Sequence, residues 1–325
     1  MVKIVAITGG SGFIGTNLIE KLIELRFDVV NIDIKEPLEK KFRKYFHCID
    51  INDKSVLCEF LRDLSPDYVI HLAARTDLQG TNINEYKVNT LGVENICVAV
   101  SETPSIQRVL FASSMLVCRT GHIPLRSNDF SADTLYGKSK VEGEKIVMRY
   151  QKSLPSNLIF RPTSIWGPRF GSPYRDFFDL VLRRRYVKIG PKVAKKTYGY
   201  IENTVNQIIS LMNSNEQIST YSIPYIGDYP PINADDWSEI ISSKANIPGP
   251  TIVPYYLIAL GGIIGDILSY FKIPFPLTSF RIKNMTTNND LTRFIAFRES
   301  QFEQVTLEEG VIRTINWLNE NRYEH

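Results

Sequence analysis

Three features of the sequence predict an α/β fold built on a doubly wound parallel sheet. Short apolar runs rich in β-branched residues alternate with segments of helical periodicity through the first half of the chain. Those runs are nearly continuous in apolar character, as expected of strands covered by helices on both faces. A glycine-rich turn separates the first run from the first helical segment.

The elements follow in order. "KIVAIT" and "DVVNID" read as strands, with the helical "GTNLIEKLIEL" between them. "DKSVLCEFLRDL" reads as a helix, "DYVIHLAA" as a strand, "NEYKVNTLGVENICVAVSE" as one long helix and "RVLFASS" as a further strand. A helix containing "LYGKSK" runs into "KVEGEKIVMRY", and "NLIF" closes the series as a strand. After Arg161 the segment "RPTSIWGPRFGSPYRD" is rich in Pro, Gly and aromatics and reads as an irregular loop. The remainder mixes shorter strands and helices, which suggests a smaller mixed α/β domain over 166–325, with later segments free to return to the domain at 1–165. The last helix opens at "TLEEGVIRTINWL", where Thr306 and Glu309 have the spacing of a capping box.

At 325 residues the chain holds one large or two smaller domains with ample core. Its 43% hydrophobic and 22% charged residues exclude a disordered or fibrous chain, and a net charge of +3 gives no reason to expect nucleic acid. Cys48, Cys58, Cys97 and Cys118 form no C-x-x-C pair, so reduced thiols and a cytoplasmic setting are expected. His47, His71, His122 and His325 lack zinc-ligand spacing, so no metal is expected. "MVKIVAITGG" enters a strand at once, without a signal-peptide cleavage pattern.

"ITGGSGFIGTNL" carries the chemistry of the first domain. Gly9, Gly12 and Gly15, with Phe13 and Ile14 between the last two, lie where a strand turns into a helix. Glycines there let a pyrophosphate reach the helix N-terminus, whose free N–H groups and dipole favour anions. Asp33 ends the second strand about twenty residues beyond the loop, where a carboxylate binds the adenosine ribose hydroxyls. Its charge repels a 2′-phosphate, so NAD is expected over NADP, with Lys35 as the residue that could offset that repulsion. A second pattern places Tyr136 four residues ahead of Lys140. Sixteen tyrosines make about one such match expected by chance, so its meaning depends on the cofactor site around it.

With these residues in place, the chain resembles the extended short-chain dehydrogenase/reductase family, the NAD-dependent epimerase/dehydratase group with its Rossmann-type sheet. "TGGSGFIG", Asp33, "DI" at Asp50 and Ile51, "HLAA", Asn89, "FASS", "YGKSK", "RPTSIWGP" and "YIEN" carry the resemblance over nearly the whole chain. It implies that Asp50 and Ile51 line an adenine pocket, that Ala73 and Ala74 meet the middle of the cofactor, and that Asn89 lies near the nicotinamide ribose. Ser114, with Ser113 as the adjacent alternative, matches the catalytic serine or threonine. Tyr136 then becomes the general acid/base. A phenol near pKa 10 is too weak a base at neutral pH, but a lysine one helical turn on and a cationic nicotinamide both favour the phenolate. Thr163 and Lys196 are expected at the substrate, Lys196 near the position of a phosphate-binding arginine in related epimerases. Two-helix packing as a homodimer is common in the group, and the helix beginning near Asn84 and the Tyr136 helix are the candidates.

Departures from the family pattern bear on the reaction. Dehydratases usually place Asp-Glu after the catalytic residue; Met115 and Leu116 stand here, so elimination of water lacks its carboxylates. The expectation is a nucleotide-sugar 4-epimerase, with a 4-keto-sugar reductase, a 3β-hydroxysteroid or sterol dehydrogenase and a non-catalytic dinucleotide sensor as alternatives. The basic run "RRRYVKIGPKVAKK" reads either as a reach toward a substrate diphosphate or as a solvated surface. "VPYYLIALGGIIGDILSYF" is too short in its apolar part to span a bilayer and is interrupted by Asp266. A buried or groove-lining helix is expected there, with peripheral membrane contact as the alternative.

Overall fold

The computed structural model describes residues 2–190, 193–214, 223–271, 273, 278–295 and 303–321. Lys192 of the basic run and His325 lie outside them. The central sheet has seven parallel strands. β1 (Ile4–Thr8), β2 (Asp28–Asp33), β3 (Phe46–Cys48), β4 (Tyr68–His71), β5 (Arg108–Ala112), β6 (Ser156–Pro162) and a strand at Tyr225–Ile226 lie in the order β3-β2-β1-β4-β5-β6 followed by that last strand. Register is continuous across the middle: Ile7 lies opposite Asn31 on one side and Ile70 on the other.

Helices cover both faces, as the near-continuous strands demanded. α1 (Phe13–Glu24) sends Leu18, Ile19 and Leu22 onto the face that Val5, Ile7 and Ile70 present. α2 (Lys54–Leu64), α3 (Leu91–Ser101) and α4 (Leu135–Tyr150) cover the face of Ala6, Val69 and Val109. Neighbours along each strand thus go to opposite faces. Each fully buried Leu or Ile contributes roughly 1.5–3 kcal/mol, so the two layers hold the strand ends in fixed relation. Side chains start two of the helices: Asp53 accepts from the Val56 N–H, and Thr134 Oγ1 accepts from the Gly137 N–H at 3.0 Å.

The expected long helix from Asn84 is two elements. Asn82 and Glu85 form a reciprocal capping box that opens a 3₁₀ turn over Ile83–Asn89, and Thr90 breaks the helical path before α3. The supposed loop after Arg161 also holds structure. β7 (Ser164–Trp166) forms there and α5 (Tyr174–Leu182) begins, because Trp166 is buried against Trp237, Tyr200 and Phe178 at ring distances of 4.9, 4.9 and 5.8 Å.

Further along come β8 (Val187–Lys188), β9 (Lys195–Lys196), β10 (Tyr198–Tyr200), which pairs with β7, and α6 (Ile201–Asn213). α6 packs beside α1 in the same core, and Tyr225–Ile226, as β11, adds to β6, so the chain returns to the main sheet. β12 (Ile232–Asn233), α7 (Ala234–Lys244), β13 (Thr251–Ile252), α8 (Tyr255–Tyr270), α9 (Ser279–Thr286) and α10 (Leu307–Glu320) complete the order. Thr306 caps α10 by accepting from the Glu309 N–H, but the Glu309 carboxylate pairs with Arg313 and does not close the box. α8 is not buried as a whole, which was one of the two forms, buried or groove-lining, expected of it. Among the residues of α8 whose burial is described, only Ile258, Gly262 and Gly265 are fully buried, because a sixteen-residue helix seated on one short helix, α9, buries just one narrow stripe. Among the described residues no helix is long and apolar enough to cross a membrane.

Candidate active site

Strand order reverses between β1 and β4, and a crevice opens at the carboxyl ends of the strands where it does. The cleft has a volume of about 890 Å³ and is lined from Gly9–Gly15 through Asp33, Asp50, Ala73 and Ser114 to Tyr136 and Thr163.

Its three loop glycines serve different needs. Gly9 has φ +72°, and a Cβ there would lie 2.6 Å from the Ala73 nitrogen. A Cβ on Gly15 would overlap the Gly9 carbonyl, so its absence lets α1 sit directly on the loop. Gly12 is backbone-ordinary at φ −76°, and a Cβ would approach only the Gly9 oxygen, at 3.2 Å, projecting otherwise into open space. The N–H groups of Phe13, Ile14 and Gly15 find no acceptor among the described residues. A cradle that one methyl group would fill, lined by free donors at the positive end of a helix, fits a pyrophosphate.

Asp33 is held beside that cradle. Its Oδ2 accepts from the Ser11 N–H at 3.0 Å and its Oδ1 from the Lys35 N–H at 3.1 Å. The Lys35 side chain is exposed at the rim. Asp50 Oδ1 accepts from the backbone and side-chain nitrogens of Asn52 at 2.9 and 2.8 Å, while Ile51 is buried in the wall. Ala73 and Ala74 leave β4 along the cleft floor. The features a dinucleotide needs therefore lie along one continuous groove.

At the far end, α4 starts at the cleft and presents Tyr136 in its first turn, with Lys140 one turn behind on the same buried face. Ser114 lies close enough to the phenol to favour its ionised form; its Oγ accepts from the Leu116 N–H at 3.1 Å. Ser113 is committed elsewhere, donating to Glu144 Oε1 at 2.5 Å, so Ser114 is the serine brought to Tyr136. Burial pushes the Tyr136 phenol up to about 12, opposed by the neighbouring Ser114 hydroxyl. Burial pulls Lys140 down to about 8, opposed by the Glu144 carboxylate. The Lys140 ammonium donates to the Ala112 carbonyl at 2.8 Å. In the protein alone, then, burial outweighs the expected help from Lys140, and the phenol is not brought toward neutrality.

Two expected residues lie away from the cleft wall. Asn89 is fully buried behind Lys140, accepting from the Arg75 N–H and donating to the Arg75 carbonyl and Ser139 Oγ, each at 2.9 Å. It ties the 75–77 wall of the cleft to α4. Lys196 sits on β9, half-buried, with no carboxylate partner among the described residues, and burial lowers its pKa. Thr163 lines the cleft, but its hydroxyl donates to the Ile226 carbonyl at 2.8 Å.

Sequence reasoning missed what stands behind the trio. Glu144 and Arg161, each with a side chain 1% exposed, pair at 2.7 Å, and Arg161 also donates to Tyr225 Oη and the Ser127 carbonyl. Glu144 follows Lys140 by four residues, so the same-face spacing that linked Tyr136 to Lys140 would have found it. His71 Nδ1 contacts Thr8 Oγ1 at 2.7 Å, and burial drives its ring pKa down to about 3. Its Nε2 has no hydrogen-bond partner among the described residues, and His71 lines a small void of about 20 Å³ with Asn89, Lys140 and Glu144. Nothing in the local sequence marked that void.

A model of the NAD dependent epimerase/dehydratase family matches residues 5–226. An N-acetyl-alpha-D-glucosaminyl-diphospho-ditrans,octacis-undecaprenol 4-epimerase of Escherichia coli O157:H7 is 28% identical over 327 residues, covering 96% of this chain and 94% of its own. A 3 beta-hydroxysteroid dehydrogenase/Delta 5-->4-isomerase of Mycobacterium tuberculosis is 27% identical over 281 residues, 76% and 73% of the two chains. The UDP-glucose 4-epimerase of Thermotoga maritima, solved with UDP-glucose, superposes with a TM-score of 0.74 at 17% identity over 98% and 99% of the chains, which is a likeness of fold.

Proposed function

The chain belongs to the NAD dependent epimerase/dehydratase family and is an NAD-dependent enzyme, and from that premise we propose that it is a 4-epimerase of a diphosphate-activated sugar. The observation that carries the reading is the Ser114–Tyr136 hydroxyl pair at the end of the dinucleotide groove, with Lys140 beneath it. The loop 9–15, with the Phe13, Ile14 and Gly15 N–H groups, would hold the pyrophosphate of NAD, Asp33 its adenosine ribose, and Asp50 and Ile51 its adenine. Bound there, NAD would supply reversible acceptance of a hydride and the positive charge of its oxidised nicotinamide. Tyr136 takes the proton of the C4 hydroxyl as that carbon is oxidised to a ketone, and Ser114 donates a hydrogen bond to the same oxygen. Tyr136 returns the proton after the keto sugar has turned its other face, so the net change is an inverted centre without net redox.

Lys196 supports an anionic substrate, because a half-buried cation with no carboxylate partner among the described residues gains by meeting a phosphate. Met115 argues against dehydration: its thioether lies against Ser164 and Asn289, where a carboxylate would be required. A 4-keto-sugar reductase uses the same trio and is the second reading. Panels of UDP-, GDP- and dTDP-sugars, with N-acetylhexosamines and 4-keto forms, separate the two: an epimer without NADH change supports epimerisation, and stoichiometric NADH consumption supports reduction.

A further inference from the structure

Two features of the sequence lie outside the cleft lining, the basic run at 183–196, which ends at Lys196, and the apolar segment at 253–271. The fold joins them. β8 pairs in parallel with β13, the Val253 N–H donates to the Lys188 carbonyl at 3.0 Å, and Val187, Val253, Tyr255 and Ile258 pack in one cluster.

α8 turns its narrow inward stripe onto α9, where a Cβ on Gly262 would lie 2.5 Å from Ile282 Cδ1. The opposite face carries Tyr256, Leu260, Ile263, Ile267 and Tyr270, spaced by four, three, four and three residues and 54% to 84% exposed. The one charge on this helix, Asp266, is occupied in accepting from the Ser279 N–H at 3.0 Å. A contiguous apolar face of this kind marks an interaction surface.

The neighbouring charge decides what covers it. Residues 183–196 hold seven lysines and arginines and no acid. Arg183, Arg184 and Arg185 are exposed, with no carboxylate in ion-pair reach among the described residues. The α8 face of a second copy offers that run no free carboxylate, since its one acid, Asp266, is already occupied. An anionic bilayer supplies apolar depth for α8 and negative headgroups for the run, and tyrosines at both ends of the stripe suit the interface. The run also leads inward, through Ala194, whose N–H donates to the Met285 carbonyl at 2.9 Å, to the half-buried Lys196.

We propose that the outward face of α8 and the run 183–196 dock the protein on an anionic membrane, and that the sugar diphosphate taken by the cleft is carried there on a lipid. The second part rests on the sugar-diphosphate reading of the cleft; the first does not.

The test mixes the full chain with vesicles of phosphatidylcholine alone, or with phosphatidylglycerol as about one third of the lipid. Wild type sediments with the anionic vesicles, and binding falls at least about tenfold on the neutral ones, in high salt and in Ile263→Glu. Circular dichroism checks that the variant, changed at an exposed position, keeps its fold. Wild type left in the supernatant, or Ile263→Glu binding equally well, overturns the docking. A wild-type dimer that Ile263→Glu dissociates assigns the face to a second copy and also overturns it. For the substrate, vesicles carrying a polyprenyl-diphospho-N-acetylhexosamine are turned over by wild type and at least about tenfold more slowly by Ile263→Glu, with UDP-sugar turnover and NAD affinity unchanged. A wild type that epimerises UDP-sugars but not the vesicle-borne substrate overturns the lipid carrier and leaves the cleft reading intact, whereas equal rates for the two proteins on the vesicles overturn the docking. A wild type inactive on every sugar diphosphate overturns the cleft reading and the lipid carrier together, while vesicle binding still decides the docking.

Discussion

The Lys140 ammonium donates to the Ala112 carbonyl oxygen at 2.8 Å, which fixes a positive charge at the end of β5, one helical turn behind Tyr136. The same burial that anchors it lowers its pKa to about 8. Its charge is therefore present below that pH and lost above it. We expect kcat/KM, which reports the free enzyme, to fall as pH rises through about 8, and Lys140→Met to lack that limb. A wild-type profile flat to about pH 10 contradicts this assignment.

The loop glycines separate binding from folding. Gly12→Val places its side chain in the cradle, so NAD titration should be lost while the circular dichroism melt changes little. Gly15→Ala meets backbone at the Gly9 carbonyl and should cost stability, of the order of the 1–3 kcal/mol seen for overpacking. Retained NAD binding by a folded Gly12→Val protein removes the pyrophosphate from this loop.

Asp33 bears on the choice of dinucleotide. Asp33→Asn keeps an acceptor for the Ser11 N–H and removes the charge, so the preference for NAD over NADP should narrow in direct titration. A wild type that prefers NADP shifts the weight to Lys35, whose side chain is exposed at the same rim.

The parallel strands and the glycine loop were legible because both are local: apolar runs report burial on two faces, and glycines between strand and helix report a close approach. The Tyr136–Lys140 relation was legible for the same reason, being one turn of one helix. What the sequence hid is made by contacts across the chain. Asn89 looked like a residue facing the ribose, yet its polar atoms are spent on Arg75 and Ser139. The pairing of Arg161 with Glu144 joins β6 to α4, and β7 depends on aromatic partners scattered from Phe178 to Trp237. α8 was expected buried or lining a groove, because an apolar segment names only its own chemistry and not the area of its neighbours.

That buried pair should dominate local stability. Glu144→Gln leaves the Arg161 guanidinium without a counter-charge in a dry site, and urea denaturation should show a loss of about 3–5 kcal/mol. The double variant Glu144→Gln/Arg161→Met should recover part of it by removing the stranded charge. A single variant as stable as wild type shows that the pair is dispensable.

Tyr136→Phe tests the central claim most directly, since it deletes one hydroxyl and keeps the ring that packs beside Tyr86. On a sugar diphosphate that wild type epimerises, turnover by the variant should fall roughly 10²–10⁴-fold with NAD affinity and the melting temperature unchanged. Turnover at the wild-type rate would mean that the acid/base group of this enzyme is not Tyr136.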